Sequence, residues 1–268
     1  MDSDRYSIHF SPLQGYTDRI YRNAFAHYFG GVEVYYTPFI RVEKGALRKR
    51  DLQDIEPETN TVADLIPQIL PGSADEFRLL TDAVGGKGYR QIDINLGCPF
   101  PMIAGKHKGA GMLLYPAQVA EVLAPIAEYP EIQFSLKMRL GWENASECMV
   151  LVELLNALRL SRIALHARTG KQQYKGHPDL EAFQGFYELC QHPLYYNGGI
   201  ESLSDIRQIL IRFPLLKGVF IGRGLLSSPL LAKEFKGNET FLPEQRMSIY
   251  FAFHEELFSA YSQVLQGE

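Results

Sequence analysis

Eight strand-like runs recur along the chain, and most lead into a stretch with helical periodicity. The predicted strands are Ser7–Leu13, Val32–Thr37, Leu65–Leu70, Gln91–Leu96, Ile132–Met138, Arg162–Ala167, Leu194–Asn197 and Gly218–Ile221. Helices are expected near Thr17–Tyr28, Ala74–Val84, Pro116–Ala127, Ala145–Leu158, Leu180–Leu189, Leu203–Ile211 and Pro229–Phe235. Strands alternating with helices read as βαβ units, which place their strands in parallel. Eight such units in roughly 230 residues match the size and rhythm of a (β/α)8 TIM barrel. An open doubly wound sheet is the alternative, but it rarely needs eight parallel strands. No internal repeat, low-complexity run or linker appears before about Gly237. The expected division is a catalytic barrel over 1–237 and a short C-terminal helical segment over 238–268.

Composition narrows the class. The 268 residues are 46% hydrophobic, enough for one large core. No run of about 20 apolar residues is present, so no membrane span is expected. Cys98, Cys148 and Cys190 are odd in number and far apart. A disulfide framework or cysteine-based zinc site is therefore not expected, no metal site is assigned, and a reducing cytoplasm fits. The formal net charge of −4 gives no global nucleic-acid signal.

The stretch Asp93-Ile94-Asn95-Leu96-Gly97-Cys98-Pro99 runs from a strand into a loop. Ile92 and Ile94 alternate with Asp93 and Asn95, and Gly97 and Pro99 end the pairing. A thiol thus follows a strand end, preceded by a carboxylate and an amide on one face. Other strand ends also carry polar residues where a barrel interior normally holds Val, Ile and Leu. These are Gln68, Asn95, Ser135, Lys137, Arg139, His166, Arg168 and Asn197. Singly, each reads as a turn residue, a satisfied core group or a solvent-reaching cation. Together they are costly unless a polar ligand meets them, because buried polar groups need partners. Asn197-Gly198-Gly199 and Gly222-Arg223-Gly224 follow the seventh and eighth strands, the common phosphate position in barrels. No GxGxxG opens an early βα unit, so one phosphate and a flat polar ring fit FMN better than a Rossmann-held dinucleotide.

These residues resemble the tRNA-dihydrouridine synthases. The resemblance begins at Ser11-Pro12-Leu13-Gln14-Gly15 and continues through Gln68, Asp93–Pro99 and Gly109–Leu114. It runs on through Lys137–Trp142, His166–Thr169, Tyr174–Gly176, Asn197–Ile200 and Gly222–Gly224. Leu140-Gly141-Trp142 and Phe39–Val42 look like the bacterial C-type branch. Leu13-Gln14 stands where Met-Ala is commoner, and Asn-Gly-Gly where Asn-Gly-Asp is. Backbone contacts survive both changes. The family reduces the C5=C6 bond of uridine in tRNA, using FMN recharged by NADPH. The resemblance implies that Pro12, Leu13, Gln14, Gln68, Lys137, His166, Asn197, Gly198, Gly199, Gly222 and Arg223 hold FMN, and that Cys98 is the proton donor.

A thiol with a reference pKa of about 8.5 is mostly protonated at neutral pH, as an acid requires. Asn95, Arg139, Arg168 and Tyr174 are the candidates for the substrate side. Basic clusters at Arg41, Lys44, Arg48, Lys49 and Arg50, at Lys106, His107 and Lys108, and at Lys171 and Lys175 all fall in βα loops. On one face they would track RNA phosphates. Two other readings stay open: an FMN barrel acting on a small molecule, of dihydroorotate or dihydropyrimidine dehydrogenase type, and a non-catalytic RNA-binding module. Oligomeric state is not assigned. Pro243–Gln266 reads as a helix with Met247, Tyr250, Phe251, Leu257, Phe258, Tyr261 and Val264 near one face. That stripe is expected to open a shortened tRNA-gripping helical domain and to lack a partner on the barrel.

Overall fold

The computed structural model describes residues 3–266. Nine parallel strand segments form one sheet: β1 Ser7–Phe10, β2 Val34–Tyr36, β3 Leu65–Ile66, β4 Gln68–Ile69, β5 Gln91–Leu96, β6 Gln133–Gly141, β7 Leu160–Thr169, β8 Leu194–Asn197 and β9 Gly218–Ile221. The order is β3-β2-β1-β9-β8-β7-β6-β5-β4. Because β3 and β4 are consecutive pieces of one run, the sheet closes on itself and the expected barrel of eight is present. The predicted strand Leu65–Leu70 is divided at Pro67, which has no N–H for a ladder. Its first piece pairs with β2 and its second with β5. Pro67 still lends its carbonyl to the Asp93 N–H at 2.9 Å.

The helices are α1 Arg19–Tyr28, α2 Ala74–Gly85, α3 Pro116–Leu123, α4 Glu147–Ala157, α5 Leu180–Leu189, α6 Leu203–Arg212, α7 Leu231–Gly237 and α8 Pro243–Gln266. Their starts follow local chemistry. Asp18, Ser73 and Asp179 accept backbone N–H groups as N-caps, and Ser202 with Asp205 forms a capping box. α3 tightens into a 3-10 turn at Ala124–Glu128, where Pro125 has no N–H to continue the ladder. The second unit has only the five-residue helix Lys49–Gln53, and a short helix Arg223–Ser227 precedes α7. β5 to β7 are buried on both faces, as parallel strands under helices must be.

Two networks hold the frame. Buried Arg22 of α1 donates to the Thr17 and Asp54 carbonyls, the Asp54 carboxylate and Asn60 Oδ1, all within 2.9 Å. At the N-terminal ends of the strands, His9 lies between the hydroxyls of Ser7 and Tyr36, each at 3.1 Å, and Arg162 reaches Tyr36 and Gln91. This plug closes the barrel opposite the catalytic mouth.

α8 corrects an expectation. Its apolar residues divide between two faces. Tyr250 and Phe253 pack edge-on against α1 and Phe29, and the Tyr261 hydroxyl donates to Asp18 Oδ1 at 2.7 Å. The barrel therefore supplies a partner for one face. Met247, Phe251, Phe258 and Val264 remain exposed on the remainder. No helix among the described residues is long and apolar enough to cross a membrane.

Candidate active site

Cys98 and every residue expected to hold the cofactor or the substrate line one cleft at the C-terminal ends of the strands. Pro12, Leu13 and Gln14 follow β1, and Gln68 opens β4. Asn95 and Cys98 come from β5 and its loop, Lys137 and Arg139 from β6, and His166 and Arg168 from β7. Tyr174 lies in the next loop, while Asn197, Gly198, Gly199, Gly222 and Arg223 follow β8 and β9. Strand register produces the convergence, since it sets Asn95 beside Lys137, Arg139 beside His166, and His166 beside Asn197.

Cys98 is held from several sides. Asn95 Oδ1 accepts the Gly97 and Cys98 N–H groups at 2.9 and 2.8 Å. Gly109, at φ +56°, packs against the same residue, and a Cβ there would come within 2.8 Å of the Cys98 carbonyl oxygen. Burial pushes the thiol above its ordinary value, while the Phe100 N–H and the charges of Arg139, Lys137 and Arg41 pull it back by less. The group is therefore a protonated thiol at neutral pH.

The cationic side is equally organised. Lys137 Nζ donates to Asn197 Oδ1 at 2.9 Å, and Asn197 Nδ2 donates to the Phe220 carbonyl at 2.8 Å. Asn197 thus spends both ends of its amide within the protein. Removal from water and the nearby charge of Arg139 bring the Lys137 pKa down to about 8. Arg139 donates through Nε to Gly97 and through Nη1 to Thr169 and Gln173, all backbone carbonyls within 3.0 Å. Expected to face substrate, it mainly staples the Cys98 loop to the loop after β7.

Arg168 donates through Nη1 to His166 Nε2 at 3.1 Å and through Nη2 to the Gly176 carbonyl at 3.0 Å. A guanidinium can only donate, so His166 Nε2 is the acceptor and its proton sits on Nδ1. Burial, then the charges of Arg139, Lys137, Arg168 and Arg223, hold this imidazole well below its ordinary pKa and keep it neutral. Arg168 Nε is buried with no partner among the described residues. Arg223 lies 4.3 Å from the centre of the Tyr174 ring, so one face of this substrate-side candidate is already covered.

The basic loops are thinner than their sequence suggested. Arg41 and Arg48 pair with Glu43, Lys108 with Glu76, and Lys171 with Glu143. Lys44, Lys49, Arg50, Lys106 and Lys175 have no ion pair among the described residues. The acids that neutralise the others come from the loop after β2, the first turn of α2 and the loop after β6. Asp93 and Ser135, given no cofactor or substrate role from the sequence, lie beneath the site, where Asp93 accepts from both Ser135 and Gln68. The alternation in Asp93–Asn95 hinted at this, but the register to Gln68 and Ser135 was invisible. No group of three or more metal-ligating side chains occurs among the described residues.

A model of the dihydrouridine synthase (Dus) family matches residues 9–266. The chain belongs to the dihydrouridine synthase family. It is 26% identical over 235 residues to tRNA-dihydrouridine synthase B of Pasteurella multocida, covering 84% of this chain and 67% of that protein. It is 28% identical to tRNA-dihydrouridine(16) synthase of Haemophilus ducreyi, covering 86% and 73% respectively. The chain thus spans about two thirds to three quarters of these relatives' lengths. The C-type branch expected from Leu140–Trp142 and Phe39–Val42 is not singled out, since names of the B type predominate among them. Morphinone reductase superposes with a TM-score of 0.63 at 10% identity, covering 89% of this chain and 88% of that one. That likeness establishes the barrel fold. As a dihydrouridine synthase the protein is an enzyme, a flavin-dependent oxidoreductase.

Proposed function

We propose that this synthase reduces the C5=C6 bond of uridine in tRNA, with FMN as its flavin and NADPH as the electron source. The observation that carries the reading is Cys98: a thiol kept protonated by burial, on a braced loop, beside a cleft lined by Lys137, Arg139, Arg168 and Arg223. The donor set fits an anionic, polar-edged ligand. Lys137 and Arg139 are both driven below their ordinary pKa values, and Arg168 Nε is a buried donor without a partner. Gly198, at φ +126°, packs so closely on the His166 ring that a Cβ would fall 2.9 Å from its Cδ2, which leaves this turn to glycine and its backbone bare toward the cleft.

Gly198, Gly199, Gly222 and Arg223 would hold the FMN phosphate, and Pro12, Leu13, Gln14 and Gln68 the ring. With FMN bound, these residues would set a hydride source against C6 of the uracil. Cys98 supplies the proton to C5 and is reprotonated from solvent. Lys137 and the His166 Nδ1–H stabilise negative charge at the polar edge. Asn95 and Arg168 would meet the uracil, while Lys44, Lys49, Arg50, Lys106 and Lys175 offer charge to RNA phosphates.

The test is a flavin spectrum of the purified protein and dihydrouridine analysis of tRNA from a deletion strain, with and without complementation. The Cys98→Ala variant should retain flavin and accept NADPH electrons, yet lose about 10²–10⁴-fold in uridine reduction. A protein that ignores added FMN would end the reading, and unchanged turnover by the variant would remove the acid role.

A further inference from the structure

We infer that Asp93, from within the barrel, is a positioning residue that sets the direction of two amides and through them the pose of the Cys98 loop. This rests on the proposed role of Cys98. Asp93 is buried, and its Oδ1 accepts from Ser135 Oγ at 2.5 Å while its Oδ2 accepts from Gln68 Nε2 at 2.7 Å. Gln68 Oε1 accepts from Asn95 Nδ2 at 2.7 Å. Asn95 Oδ1 then accepts the N–H groups of Gly97 and Cys98. The path runs from the interior of the barrel to the backbone of the reactive thiol through hydrogen bonds of one direction.

Each amide in that path could in principle be rotated end for end. Here the two termini forbid it. With Asp93 in its carboxylate form that end has no donor, so Gln68 must turn its NH₂ toward Asp93, as its 2.7 Å bond to Oδ2 shows. Two backbone N–H groups have no acceptor, so Asn95 must turn its oxygen toward the loop. The middle bond is then satisfied in one arrangement only. Reversing Gln68 would set two acceptors, or two donors, against each other in a buried site. Each amide nitrogen keeps one further hydrogen, so Gln68 and Asn95 offer donors to whatever occupies the cleft. The network costs the burial of a carboxylate in a position where barrels normally place aliphatic side chains. Burial pushes the Asp93 carboxyl pKa above the ordinary value, while the hydrogen bonds from Ser135 and Gln68 and the charges of Lys137 and Arg162 pull it back by less.

The experiment compares Asp93→Leu and Asp93→Asn in the full chain. Iodoacetamide alkylation of flavin-free protein is followed peptide by peptide at fixed pH, with Cys148 and Cys190 as internal references. The flavin-loaded protein is then assayed for flavin reduction by NADPH and, separately, for dihydrouridine formation in tRNA. With Asp93→Leu, the Cys98 alkylation rate should change by about ten-fold while Cys148 stays constant, and dihydrouridine formation should fall by about ten-fold or more. Asp93→Asn should restore both to within about three-fold, because its carbonyl can still accept from Gln68 and the loop end selects that orientation. An unchanged Cys98 rate in the leucine variant, or Cys98 and Cys148 changing together, would overturn the inference. So would failure of the asparagine variant to restore either measurement. If Asp93→Leu does not fold, Gln68→Leu cuts the same path one link later and must reproduce the Cys98 change. An unaltered rate there refutes the path. The alkylation result needs neither tRNA nor NADPH, so an inactive wild-type enzyme would undo the proposed function and leave this test standing.

Discussion

Lys137 carries a pH signature that follows from its surroundings. Its pKa is near 8 in the folded chain, against about 10.4 for an unfolded lysine. Below about 8 both states carry the proton and the buried charge costs stability; between about 8 and about 10.4 the unfolded chain binds the extra proton, so that cost is relieved as pH rises. An anion bound beside Lys137 prefers the protonated form. FMN affinity should therefore weaken as pH rises through about 8, and Lys137→Gln should be weaker throughout and lose that dependence. Titration of flavin fluorescence across the range checks it. His166 makes a second residue-level prediction. Its ¹⁵N spectrum should report the neutral tautomer with the proton on Nδ1, and Arg168→Met should let the Nε2–H form appear. The residue types and their strand ends were legible in the sequence, because polar side chains interrupt aliphatic strands there. Their commitments were not. Arg139 looked like a ligand residue and proves to serve three backbone carbonyls, which only the approach of two loops reveals.

Among the elements, α1 depends on a buried cation from its own first turns. Arg22→Met should remove the partner of Asp54 and lower the unfolding free energy by about 3–5 kcal/mol. A lower urea midpoint measures it; a midpoint within experimental error of wild type would show that the network carries no stability. The sequence marked a helix near Thr17–Tyr28 and gave no sign that Arg22 would be buried. Its partners Asp54 and Asn60 lie more than thirty positions away. α8 shows a related limit. Its extent, Pro243–Gln266, was readable from periodicity. Which apolar residues meet the barrel was not, because Tyr250 and Phe251 are neighbours in sequence and go to different faces. The split at Pro67 was likewise hidden inside an otherwise continuous apolar run.

At the scale of the whole barrel, the wall is uneven. β5, β6 and β7 are six, nine and ten residues long, whereas β2 has three and β3 and β4 have two each. The thin quarter hinges on a proline, and few ladder bonds protect it. Segments with few such bonds open first in native-state fluctuations. Backbone amides of β2 to β4 should therefore exchange with deuterium well before those of β6 and β7. The cleft straddles the two regions, taking Phe39 and Gln68 from the weak side and Lys137 and His166 from the strong one. A ligand seated there acts as a clasp across the seam. Its binding energy is recovered as protection of the weak quarter, because a ligand stabilises only the closed form that it fits. Saturating FMN should slow exchange far more around Tyr35, Ile66 and Ile69 than around Leu136 and Leu165. In the absence of such a ligand, damage and proteolysis would begin at the seam while the thick wall stayed wound.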